Sequence, residues 1–243
     1  MSHTGMRLAG PAGTSSLRRV MGSVWVIVVA AGSGSRFGRP KQYEELGGRR
    51  VLDWSLAAAR DAVRDTARYA TGSDRGGVVA VVAPDRAGDR EPAADAVVAG
   101  AATRSASVRA GLAAVPADAE VVVVHDGARP LADAGLFARV IAAVREGGDA
   151  AVPAVDVTDT LRHRSGRALD RGDLVAVQTP QGFRAAALRS AHAGDPEATD
   201  DASLVEAAGG KVVVVDGSPA NLKITRPIDL AVAEALLGRG TPP

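Results

Sequence analysis

The sequence predicts a doubly wound α/β fold around a mostly parallel sheet, with one β-hairpin protruding as an arm. Three observations carry that prediction. Short Val-rich runs recur with little polar alternation, as in strands covered on both faces. Ala- and Arg-rich stretches of helical period separate them, the order expected of crossover connections between parallel strands. One segment breaks this rhythm, alternating β-formers with polar residues on either side of Ser165-Gly166.

The apolar runs are Val24 to Ala31, Gly77 to Ala83, Glu120 to His125, Asp149 to Val155 and Lys211 to Val215, each read as a buried strand. Helical patterns cover Val51 to Arg68, Thr103 to Ala114, Asp133 to Glu146 and Arg184 to Ala193. A last helix, Pro227 to Leu237, has Pro in its first turn and stops at Gly238. Ahead of it, Asn221 to Pro227 reads as a short strand, and Gln178 to Phe183 as a loop at a strand end. The arm covers about residues 156 to 177, and because an isolated hairpin is marginal in water, it is expected to pack on a second subunit. Residues 1 to 22 carry Gly, Ser, Pro and Arg without an apolar run, so a disordered lead is expected, with Met21 an alternative start. One domain over residues 23 to 240 follows.

Composition narrows the function classes. With 46% hydrophobic residues, 23% charged and a net charge of +1, the chain reads as globular and cytoplasmic, with neither nucleic acid nor membrane as its partner. The absence of cysteine removes disulfides and thiolate metal sites. His3, His125, His163 and His192 lack a metal-ligand spacing, so any metal is expected to be Mg²⁺ bound through oxygen and arriving with a phosphate.

The stretch VVAAGSGSRFGRPKQY, Val28 to Tyr43, runs from the end of the first strand into the loop after it. Its Gly32-x-Gly34-x-x-x-Gly38 spacing is not that of a dinucleotide fingerprint, Arg39-Pro40 interrupts the helix such a site needs, and the acid Asp53 falls within a helical pattern. Lys41 is neither preceded by Gly nor followed by Ser or Thr, so it is not a Walker A lysine. What remains is a loop of small residues whose N–H groups can approach phosphates, with Arg36 and Lys41 adding charge, or else a structural turn with two solvated cations. Lysine usage favours the first reading. Of 29 Lys and Arg residues only Lys41, Lys211 and Lys223 are lysine. Lys211 reads as solvated, whereas Lys41 and Lys223 stand in unusual local sequence and are candidate phosphate contacts.

His125-Asp126-Gly127-Ala128-Arg129-Pro130 puts Asp126 at the carboxyl end of a strand, where open α/β sheets bind ligands. It is a candidate for Mg²⁺ or a substrate hydroxyl, or a capping turn residue; His125 reads as packed in the sheet and Arg129 as a loop tether. Thr103 caps the helix after Gly100-Ala101-Ala102, and Ser107, one turn along, is a candidate ribose contact.

Taken in order and spacing, AAGSGSRFGRPKQY, GAATRSASVRAGL, VHDGARP, VTDTL, LDRGDLVAVQTPQGF, TDDASLVEAAG and NLKITRPIDLAVAEALL resemble the cytidylyltransferases that make 4-diphosphocytidyl-2-C-methylerythritol in the non-mevalonate isoprenoid pathway. The resemblance covers residues 24 to 238 and implies a Rossmann-like nucleotidyltransferase, Mg²⁺-dependent, acting on CTP and methylerythritol 4-phosphate as a homodimer. It implies that Arg36 and Lys41 neutralise the triphosphate and that Lys223 holds the α-phosphate. Ala30, Ala31, Gly32, Gly34, Ala101, Ala102 and Ser107 would bind the nucleotide. Asp126 and Thr199 would meet the methylerythritol moiety or the metal-phosphate region, and Thr160 and Arg171 would reach the partner subunit's site from the arm. The family usually has Gly-Gly-Asp where this chain has Gly100-Ala101-Ala102, and Ala at Gly127, which leaves backbone groups to read cytosine. Two other readings stand beside this one: a cytidylyltransferase for ribitol 5-phosphate or another polyol phosphate, and a non-catalytic nucleotide- or NAD-binding module.

Overall fold

The computed structural model describes residues 22–67 and 76–238. The expectations for residues 1 to 21, Met21 included, and for the domain's last two residues lie outside the described residues. Strands are β1 (Val24–Ala30), β2 (Glu45–Leu46), β3 (Arg49–Arg50), β4 (Gly77–Val82), β5 (Ala96–Ala99), β6 (Val121–Asp126), β7 (Ala150–Asp156), β8 (Val175–Val177), β9 (Gln181–Arg184) and β10 (Val212–Asp216). Helices are α1 (Val51–Ala67), α2 (Arg104–Ala113), α3 (Ala134–Arg145), α4 (Ala185–Ala191), α5 (Asp201–Ala207) and α6 (Pro227–Leu237).

The main sheet runs β10-β7-β9-β6-β1-β4-β5, with β8 added to β7. Pairings of β1 with β4 and β6, of β4 with β5 and of β7 with β10 are parallel. Strand alternation divides the valines between two faces. Val26, Val28, Val78 and Val123 pack under Leu52 and Leu56 of α1 and Phe137 and Val140 of α3. Ile27, Val79, Val81, Val122 and Val124 face α2, α4 and α5 through Val108, Leu112, Leu188 and Val205. Full burial of each such side chain contributes about 1.5–3 kcal/mol, which is why these strands read as unbroken apolar runs.

Three expectations need correction. Gln181–Arg184 is a strand, not a loop: it pairs antiparallel with β6 and β7 and separates them. Its glycine hides it from strand statistics, yet a Cβ on Gly182 would lie 2.9 Å from the Val140 carbonyl, so the bare backbone lets α3 cross close above. Asn221 to Arg226 forms no strand; the segment is tied down singly, for instance by the Ile224 N–H donating to the Ala128 carbonyl at 2.9 Å. The arm is paired only at its base and tip. Ala154, Val155 and Asp156 pair with Val177, Ala176 and Val175, and an isolated bridge joins Arg162 to Ala168 around the Gly166 turn. Between those points, residues 157–161 and 169–174 are exposed except for the half-buried Val157, Leu161 and Leu169, so no core favours continuous strands there. β5 was not anticipated, because its alanines carry little strand signal. Among the described residues, no helix is long and apolar enough to cross a membrane.

Candidate active site

The parallel neighbours β1 and β6 end side by side, with Val29 in register with Asp126. Beyond their carboxyl ends the glycine loop, the start of α2, Asp126 and the segment before α6 surround a cavity of about 440 Å³. Among the described residues, its lining carries Arg36, Lys41, Arg104 and Lys223 against a single carboxylate, Asp126.

Gly34 makes the glycine loop possible. Its φ is +69°, and a Cβ there would lie 1.9 Å from the Arg39 carbonyl oxygen, while its own carbonyl accepts from Phe37 and Gly38 N–H at 2.8 and 2.9 Å. Phe37 then anchors the loop by packing with Leu46, Val51, Ile224 and Ala233. The 3-10 turn Lys41–Tyr43 is held by Gln42, which is 3% exposed and whose Nε2 donates to the Ala30 and Gly32 carbonyls at 2.8 and 3.0 Å. Sequence reasoning missed Gln42, although an amide directly after the candidate lysine was a visible signal. Arg39 is paired with Glu44, whereas Arg36 and Lys41 have no ion-pair partner among the described residues. Burial, then the charges of Lys223 and Arg36, lowers the Lys41 pKa.

Asp126 is the counter-charge of the site. Its Oδ2 lies 2.7 Å from Lys223 Nζ and 3.8 Å from Arg129 Nε, and its Oδ1 lies 3.6 Å from Arg104 Nε. Burial acts to raise its pKa, but Lys223, then Arg104 and Arg129, outweigh it and hold the carboxyl well below the usual carboxylate range. Arg129 is the expected tether: its Nη1 donates to the Asn221 carbonyl at 2.7 Å and so helps to deliver Lys223. His125 is packed as expected, fully buried at 5.2 Å from the Phe137 ring, with burial pushing its pKa down to about 4.

Thr103 caps α2, its Oγ1 accepting the Ala106 N–H at 3.1 Å. Ser107 lines the cavity, but its hydroxyl is engaged: Oγ accepts the Ala101 N–H at 3.0 Å and donates to the Thr103 carbonyl at 2.8 Å. This folds the Gly100–Thr103 loop onto the helix. A Cβ on Gly100 would stand 2.2 Å from Ala31 Cβ, so glycine lets the two cavity loops meet. Ala30, Ala31, Gly32, Gly34, Ala101 and Ala102 all line the cavity.

Thr160, Arg171 and Thr199 are exposed, and none lines the cavity of this chain. Arg171 donates to the Thr158 carbonyl within the arm, and Thr199 precedes Asp200, the residue that caps α5. Arg104 escaped sequence reasoning, though a cation in the first turn of a helix opposes the helix dipole and signals partners elsewhere. Burial acts to lower its pKa, but Asp201 and Asp126 more than offset this and raise it.

The family model described as 2-C-methyl-D-erythritol 4-phosphate cytidylyltransferase (IspD) matches residues 24–239. The curated enzyme of that name from Thermus thermophilus is 43% identical over 222 residues, covering 88% of this chain and 96% of that one. The one from Rubrobacter xylanophilus is 39% identical over 234 residues, covering 89% and 96%. A bifunctional IspD/IspF enzyme from Solidesulfovibrio magneticus is 43% identical over 88% of this chain, which spans 57% of that longer protein. The crystal structure of the Thermus thermophilus cytidylyltransferase superposes with a TM-score of 0.71 at 39% identity, covering 87% of this chain and 98% of that one.

Proposed function

The chain belongs to the IspD family of 2-C-methyl-D-erythritol 4-phosphate cytidylyltransferases, and on that premise we propose that it transfers CMP from CTP to 2-C-methyl-D-erythritol 4-phosphate. The products are 4-diphosphocytidyl-2-C-methyl-D-erythritol and pyrophosphate, in isoprenoid precursor biosynthesis. One observation carries the reading: among the described residues, four cations and one carboxylate line a cavity at the carboxyl ends of β1 and β6, a charge balance suited to a polyphosphate.

An oxygen of the acceptor phosphate attacks the α-phosphorus in line. The new P–O bond forms as the bond to the β-phosphate breaks, and its electron pair leaves with pyrophosphate. A phosphate dianion is already a nucleophile, so no side-chain base is required. Rate then depends on alignment and on neutralising charge that grows on the leaving group. Arg36 and Lys41, with no ion-pair partner among the described residues, are free to take the β- and γ-phosphates. Lys223 holds the α-phosphate, and Asp126 keeps that ammonium in place until the substrates arrive. Small residues and backbone groups at Ala30, Ala31, Gly32, Gly34, Ala101 and Ala102 receive the nucleoside, with Ser107 shaping the loop that reads it.

The donor set fits a Mg²⁺ held mainly by the triphosphate: one lining carboxylate, Asp126, and no cluster of three or more His, Asp or Glu among the described residues. When bound, Mg²⁺ supplies further charge neutralisation on the phosphates. Thr160 and Arg171 lie outside their own chain's cavity, which supports a homodimer in which each arm completes the partner's acceptor site, with Thr199 as a further acceptor contact.

The test is pyrophosphate release from CTP with methylerythritol phosphate, with ribitol 5-phosphate and with no acceptor. Turnover with the first alone is expected. Preference for ribitol 5-phosphate would replace the acceptor, and nucleotide binding without turnover on either would leave a non-catalytic module.

A further inference from the structure

Arg104 occupies the first position of α2, and its guanidinium is fixed from outside the cavity. Nη1 donates to Asp201 Oδ2 at 2.7 Å, and Nε stands 3.6 Å from Asp126 Oδ1. Asp201 is fully buried, does not line the cavity, and takes His192 Nε2 on its other oxygen at 3.0 Å. Its carboxylate therefore has a defined orientation and one partner that faces the site. A guanidinium carries five N–H donors. Those of Nη2 have no hydrogen-bond partner among the described residues, while the side chain lines the cavity at 24% exposure. Arg104 and Lys223 also approach opposite oxygens of the same Asp126 carboxylate, so the open donors stand at the end of the cavity where Lys223 works.

We propose that Arg104 is a phosphate-binding residue of this cavity and that Asp201, which lies outside the cavity, positions it. The inference rests on the nucleotidyl-transfer reading and deepens it: a fourth cation acts on the reacting phosphates, held by a buried carboxylate. A clamped, planar guanidinium loses little freedom on meeting an oxyanion and can fork onto two of its oxygens. The phosphate is that of the nucleotide or of the acceptor, and the two are separable by measurement.

The experiment uses the full chain. CTP with Mg²⁺ is titrated calorimetrically, and the KM for methylerythritol phosphate is measured alongside. Arg104→Gln is expected to weaken one of the two about tenfold or more, as for the loss of a charged hydrogen bond. Weakening of CTP binding assigns the nucleotide's phosphates; weakening confined to the acceptor KM assigns the acceptor's. Arg104→Lys keeps a cation beside Asp201, but the compact ammonium lacks the planar fork that lets one nitrogen bind that carboxylate while another faces the cavity. It is expected to melt near the unaltered chain and still to bind at least about fivefold more weakly. Asp201→Asn is expected to weaken the same quantity, and the double variant Asp201→Asn, Arg104→Gln to be no worse than Arg104→Gln alone, a non-additivity that a merely structural Asp201 does not produce. Unchanged CTP affinity and acceptor KM in a folded Arg104→Lys overturns the assignment and leaves the transfer reading intact. Failure of the unaltered chain to bind or turn over CTP overturns both.

Discussion

Lys223 Nζ lies 2.7 Å from Asp126 Oδ2, joining the segment before α6 to the carboxyl end of β6. The contact depends on two further ties, Arg129 to the Asn221 carbonyl and Ile224 to the Ala128 carbonyl. One carboxylate thus balances the cations of the site only in part, and the remaining positive charge is available to a polyphosphate.

Replacing that carboxylate exposes its contribution to the fold. Asp126→Asn is expected to destabilise the protein by about 3 kcal/mol at pH 7, because the partly buried guanidinium groups of Arg104 and Arg129 lose their counter-charge. The folded-state pKa of Asp126 is depressed, so its stabilisation is present above the unfolded value, about 3.9, and is lost as pH falls from there toward the folded value. Melting curves of both proteins should diverge at neutral pH and converge in acid. A gap of constant size across that range would contradict the ion-pair account.

Lys41→Ala is expected to cut turnover about 10²-fold or more while leaving the melting temperature nearly unchanged, as for a charge that acts in the transition state. Lys41 has no carboxylate partner to leave orphaned among the described residues. A near-normal kcat would return it to the solvated surface.

Gly100→Ala tests the meeting of the two cavity loops. The added methyl group would lie 2.2 Å from Ala31 Cβ and 3.1 Å from Ser107 Oγ, so one loop must move, at a cost of about 1–3 kcal/mol. Calorimetry should show CTP affinity falling about tenfold. Wild-type affinity would mean that the loops yield without disturbing the nucleoside.

Sharing of sites between subunits is open to complementation. Arg36→Ala and Arg171→Ala chains, each inactive alone, are refolded together. In a mixed dimer, one site combines an intact core from one chain with an intact arm from the other, so activity should return. Mixtures as inactive as their parents would remove the trans role of Arg171.

Much of this protein was legible locally. Unbroken valine runs announced β1, β4, β6 and β7 because burial on both faces demands apolar residues at successive positions; the run expected as a buried strand at Lys211 to Val215 is instead the edge strand β10, with Val214 exposed. The glycine loop and the scarcity of lysine marked Arg36, Lys41 and Lys223, and all three line the cavity. Less was legible where structure is set by neighbours distant in the chain. The arm's partial pairing follows from having little to pack against, and β9 was concealed by Gly182, whose missing side chain answers the close approach of Val140 on α3.

By itself, the sequence determined the alternation of elements, the loop that can approach phosphates and the cations meant for them, since each depends on the chemistry of adjacent residues. Only the tertiary structure decided that Asp126 would be shared by Lys223, Arg104 and Arg129, that Gln42 would tie Lys41's turn to the β1 loop, and that Asp201 would aim Arg104. Ion pairs and hydrogen bonds between such separated residues arise from packing, which brings together side chains that no sequence period relates.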